Sequence, residues 1–428
     1  MRAVVVALGK IGLPLAVQIA RSGQEVIGCD INPEVVELVN EAQPPFPGEA
    51  GLEEALAEVI ASGALRAQLD TTAAVAGGPD LVVTVPPLAV DDDAKPDWGA
   101  LDAAIAAIGA GLQPGTTVAV ETTLPVGTTR RRISPALASA SGLSAEQDFF
   151  TLFSPERVYS GRIFADLAEY PKLVGGLSDA GEARGVELYR SFLTAEVWPM
   201  GSAEAAEMVK LAETTYRDIN IAFANELARF ADREEIDVAR VIEAANSQPF
   251  SHIHNPGIAV GGHCIPVYPR FYLEGDPAAA LPAAARAVND AMPTYAAERL
   301  EKALGGLQGA RVLVLGAAYR GGVKETAFSG VFGVTTALEA LGASALVSDP
   351  LYSDSELADL GLTPWDGESI DAAIVQADHA EYAQLSAADL PGVRVVLDGR
   401  GIIDADAFAA AGITLERIGR PSTTPPAS

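Results

Sequence analysis

The stretch Gly257-Ile-Ala-Val-Gly-Gly-His-Cys-Ile-Pro-Val-Tyr-Pro-Arg-Phe-Tyr272 sets Cys264, one of only two cysteines in the chain, among glycines and prolines. Three chemistries suit such a thiol. It can be a small buried hydrophobe. It can join His252, His254 and His263 in a zinc site, since zinc accepts both ligand types, although the adjacent pair His263–Cys264 chelates one ion awkwardly and no second cysteine stands nearby. It can be a nucleophile that adds to an aldehyde, giving a thiohemiacetal able to lose a hydride and become a thioester. Glycines and prolines disfavour a helix or a central strand, so they put the thiol on a loop that a ligand can approach.

A second segment with chemistry is Ala7-Leu-Gly9-Lys10-Ile11-Gly12, between an apolar run and a helical pattern, where the dinucleotide fingerprint G-x-G-x-x-G belongs. Its first glycine is replaced by Ala7. Gly9 still lets backbone approach a pyrophosphate at a helix N-terminus, and Gly12 still allows close helix packing. Asp30, 18 residues beyond Gly12, closes the next strand, where a carboxylate accepts hydrogen bonds from a ribose. The same charge repels a 2′-phosphate, so NAD is expected rather than NADP.

These residues need elements to hold them. Residues 2–8, then a helix over 13–21, then Glu25–Asp30 read as a βαβ unit, and further apolar strands fall at 80–85, 117–121 and 149–153. Apolar parallel strands imply a sheet covered on both faces. From Ser202 to Asp232 the period becomes helical, with Met208, Leu211, Thr215, Ile219, Ala222, Phe223, Leu227 and Phe230 near one face. Strands at 311–316, 345–349, 372–375 and 393–398 give a second α/β unit. The expected fold is α/β, two Rossmann-like doubly wound domains joined by a helical central domain with a long spine helix. The expected boundaries are 1–195, 196–303 and 304–419, with residues 420–428 a disordered tail that lacks any apolar period.

Composition excludes other classes. The chain of 428 residues carries 29 Lys and Arg against 57 Asp and Glu, a net charge of −28 that repels nucleic acid and anionic membrane. No uncharged apolar run approaches the length of a membrane span, the first residues lack the regions of a signal peptide, and two cysteines make no disulfide framework. A cytoplasmic protein is expected.

Five segments, Gly9-Lys-Ile-Gly-Leu-Pro-Leu-Ala16, Glu121-Thr-Thr-Leu-Pro-Val-Gly-Thr-Thr129, Ser154-Pro-Glu-Arg157, Ala206-Glu-Met-Val-Lys210 and Gly261-Gly-His-Cys-Ile-Pro266, together resemble the UDP-glucose/GDP-mannose dehydrogenase family. Leu315–Arg320, Ser348-Asp-Pro350 and Asp398-Gly-Arg400 are similar to that family's C-terminal nucleotide-sugar domain. The resemblance covers nearly the whole chain. It implies oxidation of the C6 hydroxyl of a nucleotide sugar to a carboxylate with two NAD per sugar, no metal, and a homodimer formed through the long helix. It makes Cys264 the nucleophile, Lys210 the group that assists alcohol deprotonation, Glu156 the carboxylate for thioester hydrolysis, and Thr123 the threonine that orders a water near the nicotinamide. Cofactor contacts carried over are Gly9, Lys10, Ile11, Gly12, Asp30, Val85, Pro86 and Thr123. Substrate contacts are Glu156, Arg157, Lys210, His254, Gly261, Tyr268, Arg320 and Arg400. Glu213–Asn220 looks like the UDP-N-acetylhexosamine branch, so UDP-N-acetylmannosamine or a relative is the expected substrate; the alternatives are UDP-glucose or a divergent binding protein with altered activity. Departures stand at Thr214, expected at the catalytic position where the family has asparagine, at Tyr268, where it has aspartate, and at Ala259 and Ala327.

Overall fold

The computed structural model describes residues 1–90, 95–159 and 161–423, and the chain divides into two compact units. The first comprises Met1–Glu213 and Arg270–Asp276, the second Thr214–Pro269 and Pro277–Ser428.

In the first unit, strands β1 (Arg2–Val6), β2 (Glu25–Cys29), β3 (Leu65–Gln68), β4 (Leu81–Thr84), β5 (Thr117–Val120) and β6 (Phe150–Phe153) lie parallel in the order β3-β2-β1-β4-β5-β6. β7 (Lys172–Gly176) adds antiparallel to β6, and β8 (Val197–Pro199) adds parallel to β7. This is the doubly wound order, whose switch point lies where β1 meets β4. β4 and β5 are buried at every position, which explains why they read as unbroken apolar runs rather than alternating ones. Helix α1 (Gly12–Arg21) follows β1 through the glycine loop.

The second unit holds β9 (Arg311–Leu315), β10 (Ser344–Ser348), β11 (Ala372–Val375), β12 (Val395–Asp398) and β13 (Thr414–Arg417), parallel in the order β10-β9-β11-β12-β13. Val312 and Val314 enter one core cluster and Leu313 and Leu315 another, so this sheet too is covered on both faces. Ala224, Ala228 and Ala231 of the long helix and Met292, Ala296 and Leu300 pack on the first of these faces.

The long helix, α2, runs unbroken from Ala203 to Glu234. The single apolar face expected for it splits in two. Leu211 and Ala222 are buried, whereas Met208, Phe223 and Phe230 are exposed together with Tyr216. The buried side is built from alanines that permit close packing, so the large residues are left on the other side.

The C-terminal tail also departs from expectation. Residues Arg420–Thr423 are not disordered but form β14, antiparallel to β13, with Arg417 opposite Arg420. Gly419 at φ 72° makes the turn and donates its N–H to Asp232. An edge strand tolerates Pro421 and needs no apolar period, which hid it from the pattern. Residues 424–428 of the expected tail lie outside the described residues.

Candidate active site

At the carboxyl edge of the first sheet the β1–α1 loop bends back sharply. A Cβ on Gly12 would stand 1.9 Å from the carbonyl oxygen of Ala7, so no other residue fits, while a Cβ on Gly9 would meet nothing within 4 Å. Ala7 holds φ 76°, the left-handed conformation that favours glycine. α1 begins at Gly12 with no side chain capping it. Asp30, half-buried at the end of β2, accepts Leu8 N–H at 2.8 Å and Asn32 N–H at 2.9 Å, which aims its carboxylate across the loop. An open glycine, an uncapped helix start and an oriented carboxylate fit a dinucleotide: Gly9–Gly12 would hold its pyrophosphate and Asp30 its ribose.

The neighbouring strands supply the rest of this edge. Val85 N–H donates to Val6 at 3.0 Å, and Thr122 hydroxyl donates to Pro86 carbonyl at 2.6 Å, so the loops after β4 and β5 are joined beside buried Thr123. Glu207, one turn before Lys210 on α2, accepts Thr129 N–H at 2.9 Å, Thr129 hydroxyl at 2.7 Å and Gly127 N–H. It thereby fixes the Thr123 loop to the helix that carries Lys210. Lys210 Nζ donates to the backbone carbonyl of Glu156 at 2.6 Å. The Glu156 carboxylate takes Arg157 N–H at 2.7 Å and Val158 N–H at 3.1 Å on Oε1, and Lys172 Nζ at 2.9 Å on Oε2. Burial pushes Glu156 up, but the Lys172 charge and hydrogen bond, Arg157 N–H and the Lys210 charge outweigh it and hold the carboxyl below its usual range. Arg157 pairs with Glu213 at 2.6 Å and donates to Pro171 carbonyl at 3.2 Å.

In the second unit Cys264 is exposed, and the backbone beneath it is fastened. Gly262, at φ 91°, donates to Ala327 carbonyl at 2.8 Å, and a Cβ on Gly261 would stand 2.7 Å from Cβ of Tyr319 and 2.9 Å from the carbonyl oxygen of Phe328. The Cys264 carbonyl accepts Tyr268 N–H at 2.9 Å, the first link into helix α3 (Tyr268–Gly275). Asn220 of α2 brackets the preceding segment, donating to His252 carbonyl at 2.6 Å and accepting His254 N–H at 3.0 Å. Asn225 accepts Gly257 N–H at 2.9 Å and donates to Asn289, which donates to Asp218, the partner of Arg286 at 2.8 Å. These four side chains are buried, so the loop is held by a polar network shielded from water. His254 Nδ1 lies 3.0 Å from Asn255 carbonyl and His263 pairs with Glu325. Among the described residues no group of three or more His, Cys, Asp or Glu is arranged to hold a metal ion.

At the carboxyl edge of the second sheet, Arg400 donates to Gln376 carbonyl at 2.5 Å and Tyr319 carbonyl at 3.3 Å, and Arg320 Nε donates to Tyr319 hydroxyl at 3.2 Å. Asp349, closing β10 as Asp30 closes β2, accepts Ala317 N–H at 2.7 Å, Ala318 N–H at 3.0 Å and His379 at 3.1 Å. Gly261, Tyr319, Arg320 and Arg400 are thus brought together around one tyrosine.

Gly9, Lys10, Ile11, Gly12, Asp30, Val85, Pro86, Thr123, Glu156, Arg157 and Lys210 belong to the first unit; Thr214, His254, Gly261, Cys264, Tyr268, Arg320 and Arg400 belong to the second. Buried Thr214 follows Lys210 by one turn of α2, and Tyr268 is half-buried at the start of α3. Sequence reasoning missed Lys172, Glu121 and Tyr189, which gather behind Glu156. The signal was a lysine opening the apolar run Lys172-Leu-Val-Gly-Gly176, because lysine is seldom buried unless paired.

Three family models match the chain. Residues 1–193 match the NAD binding domain of the UDP-glucose/GDP-mannose dehydrogenase family, residues 204–291 its central domain and residues 313–405 its UDP binding domain. The chain is 34% identical over 412 residues to UDP-N-acetyl-D-mannosamine dehydrogenase of Pyrococcus horikoshii, covering 94% of this chain and 96% of the relative. It is 32% identical over 419 residues to NDP-N-acetyl-D-galactosaminuronic acid dehydrogenase of Ralstonia nicotianae, covering 95% and 97%. The solved structure of a UDP-D-ManNAc dehydrogenase from Pyrococcus horikoshii superposes with a TM-score of 0.88 at 32% identity, over 98% of this chain and 100% of that one.

Proposed function

Since this chain belongs to the UDP-glucose/GDP-mannose dehydrogenase family, we propose that it is an NAD-dependent dehydrogenase that oxidises C6 of a UDP-N-acetylhexosamine to the uronic acid through a thioester on Cys264. The observation that carries the reading is Cys264 itself, a thiol exposed on a loop whose backbone is tied down by Asn220, Asn225 and Arg286. A nucleophile needs access and fixed aim, and a structural cysteine needs neither.

Gly9–Gly12 and Asp30 would hold NAD, which when bound would supply the acceptor for the two hydrides. As the hydroxyl loses its proton to water, Lys210 assists by steadying the oxygen that becomes charged, its Nζ held in place by Glu156 carbonyl. Thr123, buried in the loop after β5, orders a water for the reaction. Cys264 adds to the aldehyde carbon, which keeps the intermediate attached to the protein between the two oxidations. Glu156 then takes a proton from the water that cleaves the thioester. Arg320 and Arg400 bind the nucleotide diphosphate; Arg157, His254, Gly261, Thr214 and Tyr268 border the sugar. Labour divides as cofactor binding together with Thr123 and Glu156 in residues 1–195, Lys210 and Cys264 in 196–303, and nucleotide-sugar binding in 304–419.

Support for the N-acetylhexosamine comes from the relatives, named for N-acetylmannosamine and N-acetylgalactosaminuronic acid nucleotides. We assign the chain to the cytoplasm, where nucleotide sugars and NAD are both present; no described helix is long and apolar enough to cross a membrane. We further propose a homodimer through α2, on the stripe Tyr216, Phe223 and Phe230, which are exposed and spaced seven residues apart. The test of substrate is NADH formation with a panel of UDP-N-acetylmannosamine, UDP-N-acetylglucosamine, UDP-N-acetylgalactosamine, UDP-glucose and GDP-mannose. The highest kcat/KM is expected with one of the three N-acetylated sugars; preference for UDP-glucose would overturn the sugar assignment.

A further inference from the structure

Behind Glu156 lies a set of ionisable groups that the proposed reaction leaves unused. Lys172 opens β7 with a side chain 5% exposed and donates to Oε2 of Glu121 at 2.7 Å as well as to Oε2 of Glu156 at 2.9 Å. Glu121 follows β5, its side chain has no exposed surface, and its other oxygen receives the hydroxyl of wholly buried Tyr189. The Lys172 ammonium also stands 5.5 Å from the centre of the Tyr189 ring. Two carboxylates share one ammonium away from water, so full ionisation leaves an uncompensated buried negative charge.

Their surroundings drive the two carboxylates apart. Burial, reinforced by the charge of Glu156, lifts Glu121 to about 7 against the opposing pull of Lys172 and the Tyr189 hydrogen bond. Glu156 is lifted by burial too, but Lys172, Arg157 N–H and Lys210 bring it below the ordinary carboxylate range. Lys172 is itself lowered by burial and raised by both carboxylates, with a net rise that keeps it an ammonium. A proton taken up by Glu156 is therefore better held one step further back, on Glu121. A strongly charged cluster is an expensive way to fill the space behind a strand, whereas a conductor of protons needs this spacing of donors and acceptors.

We propose that Glu121 is the proton store of the hydrolytic step, reached from Glu156 through Lys172 and oriented by Tyr189. The proposal rests on the assignment of Glu156 as the group that activates water. The oxygen of that water bonds to the thioester carbon while its proton passes to Glu156. Lys172 releases a proton to Oε2 of Glu121 as it receives the one on Oε2 of Glu156, and ends as an ammonium again. The carbon–sulfur bond breaks, its electron pair stays on Cys264 as thiolate, and the product leaves as the acid. No oxidant or reductant takes part.

The test is single turnover of the full chain with NAD and UDP-N-acetylmannosamine, following NADH by absorbance and the mass of the adduct on Cys264. In Glu121→Gln both hydride transfers should keep their rates while the acyl adduct accumulates and its hydrolysis slows about 10²-fold, the scale of a lost proton-transfer partner. Wild-type hydrolysis should fall on the acid side of about pH 7, where Glu121 already carries a proton, and Glu121→Gln should lack that limb. Tyr189→Phe removes a donor to the Glu121 carboxylate and should move the limb to higher pH, which decides the matter should the glutamine variant fold poorly. Glu156→Gln separates the two assignments. An adduct that accumulates in Glu156→Gln but is hydrolysed at the wild-type rate and pH dependence in Glu121→Gln overturns the proton store alone. An adduct that accumulates in neither overturns the role of Glu156 as well.

Discussion

Ala7 is the residue at which sequence and backbone disagree most openly. The fingerprint asks for glycine there, and the chain keeps glycine's conformation, φ 76°, without the glycine. An L-residue in the left-handed region costs about 1–2 kcal/mol, while a glycine costs about 0.5–1 kcal/mol through the freedom it gives the unfolded chain. The first term is the larger, so Ala7→Gly should stabilise the protein by about 0.5–1 kcal/mol in chemical denaturation; destabilisation would mean that the Ala7 methyl makes contacts worth more than the strain. At this scale the tight turn at Gly12, the carboxylate of Asp30 at the end of β2 and the exposed loop position of Cys264 were legible, because each has a distinctive pattern of neighbours in the chain. Lys172, Glu121 and Tyr189 were not: 51 and 17 residues separate the members of a cluster that only the sheet brings together, and each alone reads as an ordinary strand or helix residue.

Among the elements, the parallel strands β1, β2, β4, β5, β6 and β9 to β12 were legible because burial writes them as apolar runs, correct in place and within two residues at the ends. β3, β7, β8, β13 and β14 were missed: an edge strand with alternating burial, a lysine, a short edge piece and a polar hairpin carry no such run. Helix α2 was legible in length, but its two sides were merged, because a 3.6-residue period of apolar residues cannot tell a face of alanines packed on a sheet from a stripe of aromatics left outside. That stripe makes its own prediction. Phe223, half exposed in the middle of α2, should seat against the second copy, so Phe223→Glu is expected to convert a dimer into a monomer in sedimentation equilibrium, with helix content by circular dichroism unchanged. A wild-type chain that sediments as a monomer at micromolar concentration would contradict the dimer.

For the whole molecule, an acidic chain of 428 residues with two doubly wound sheets and a continuous helix of 32 residues follows from patterns written along the sequence. The anchoring of the Cys264 loop by Asn220, Asn225, Asn289 and Arg286 does not, since buried polar networks are specified in three dimensions and leave no period behind. The central claim is that one thiol carries the sugar through two successive oxidations. It is tested most directly by counting NADH against uronic acid formed. Wild type should give two NADH per acid with no aldehyde released, and Cys264→Ser, in which a poorer nucleophile replaces the thiol, should lose acid formation. A single NADH per sugar with free aldehyde as product, or acid formed by Cys264→Ser at undiminished yield, would contradict the account.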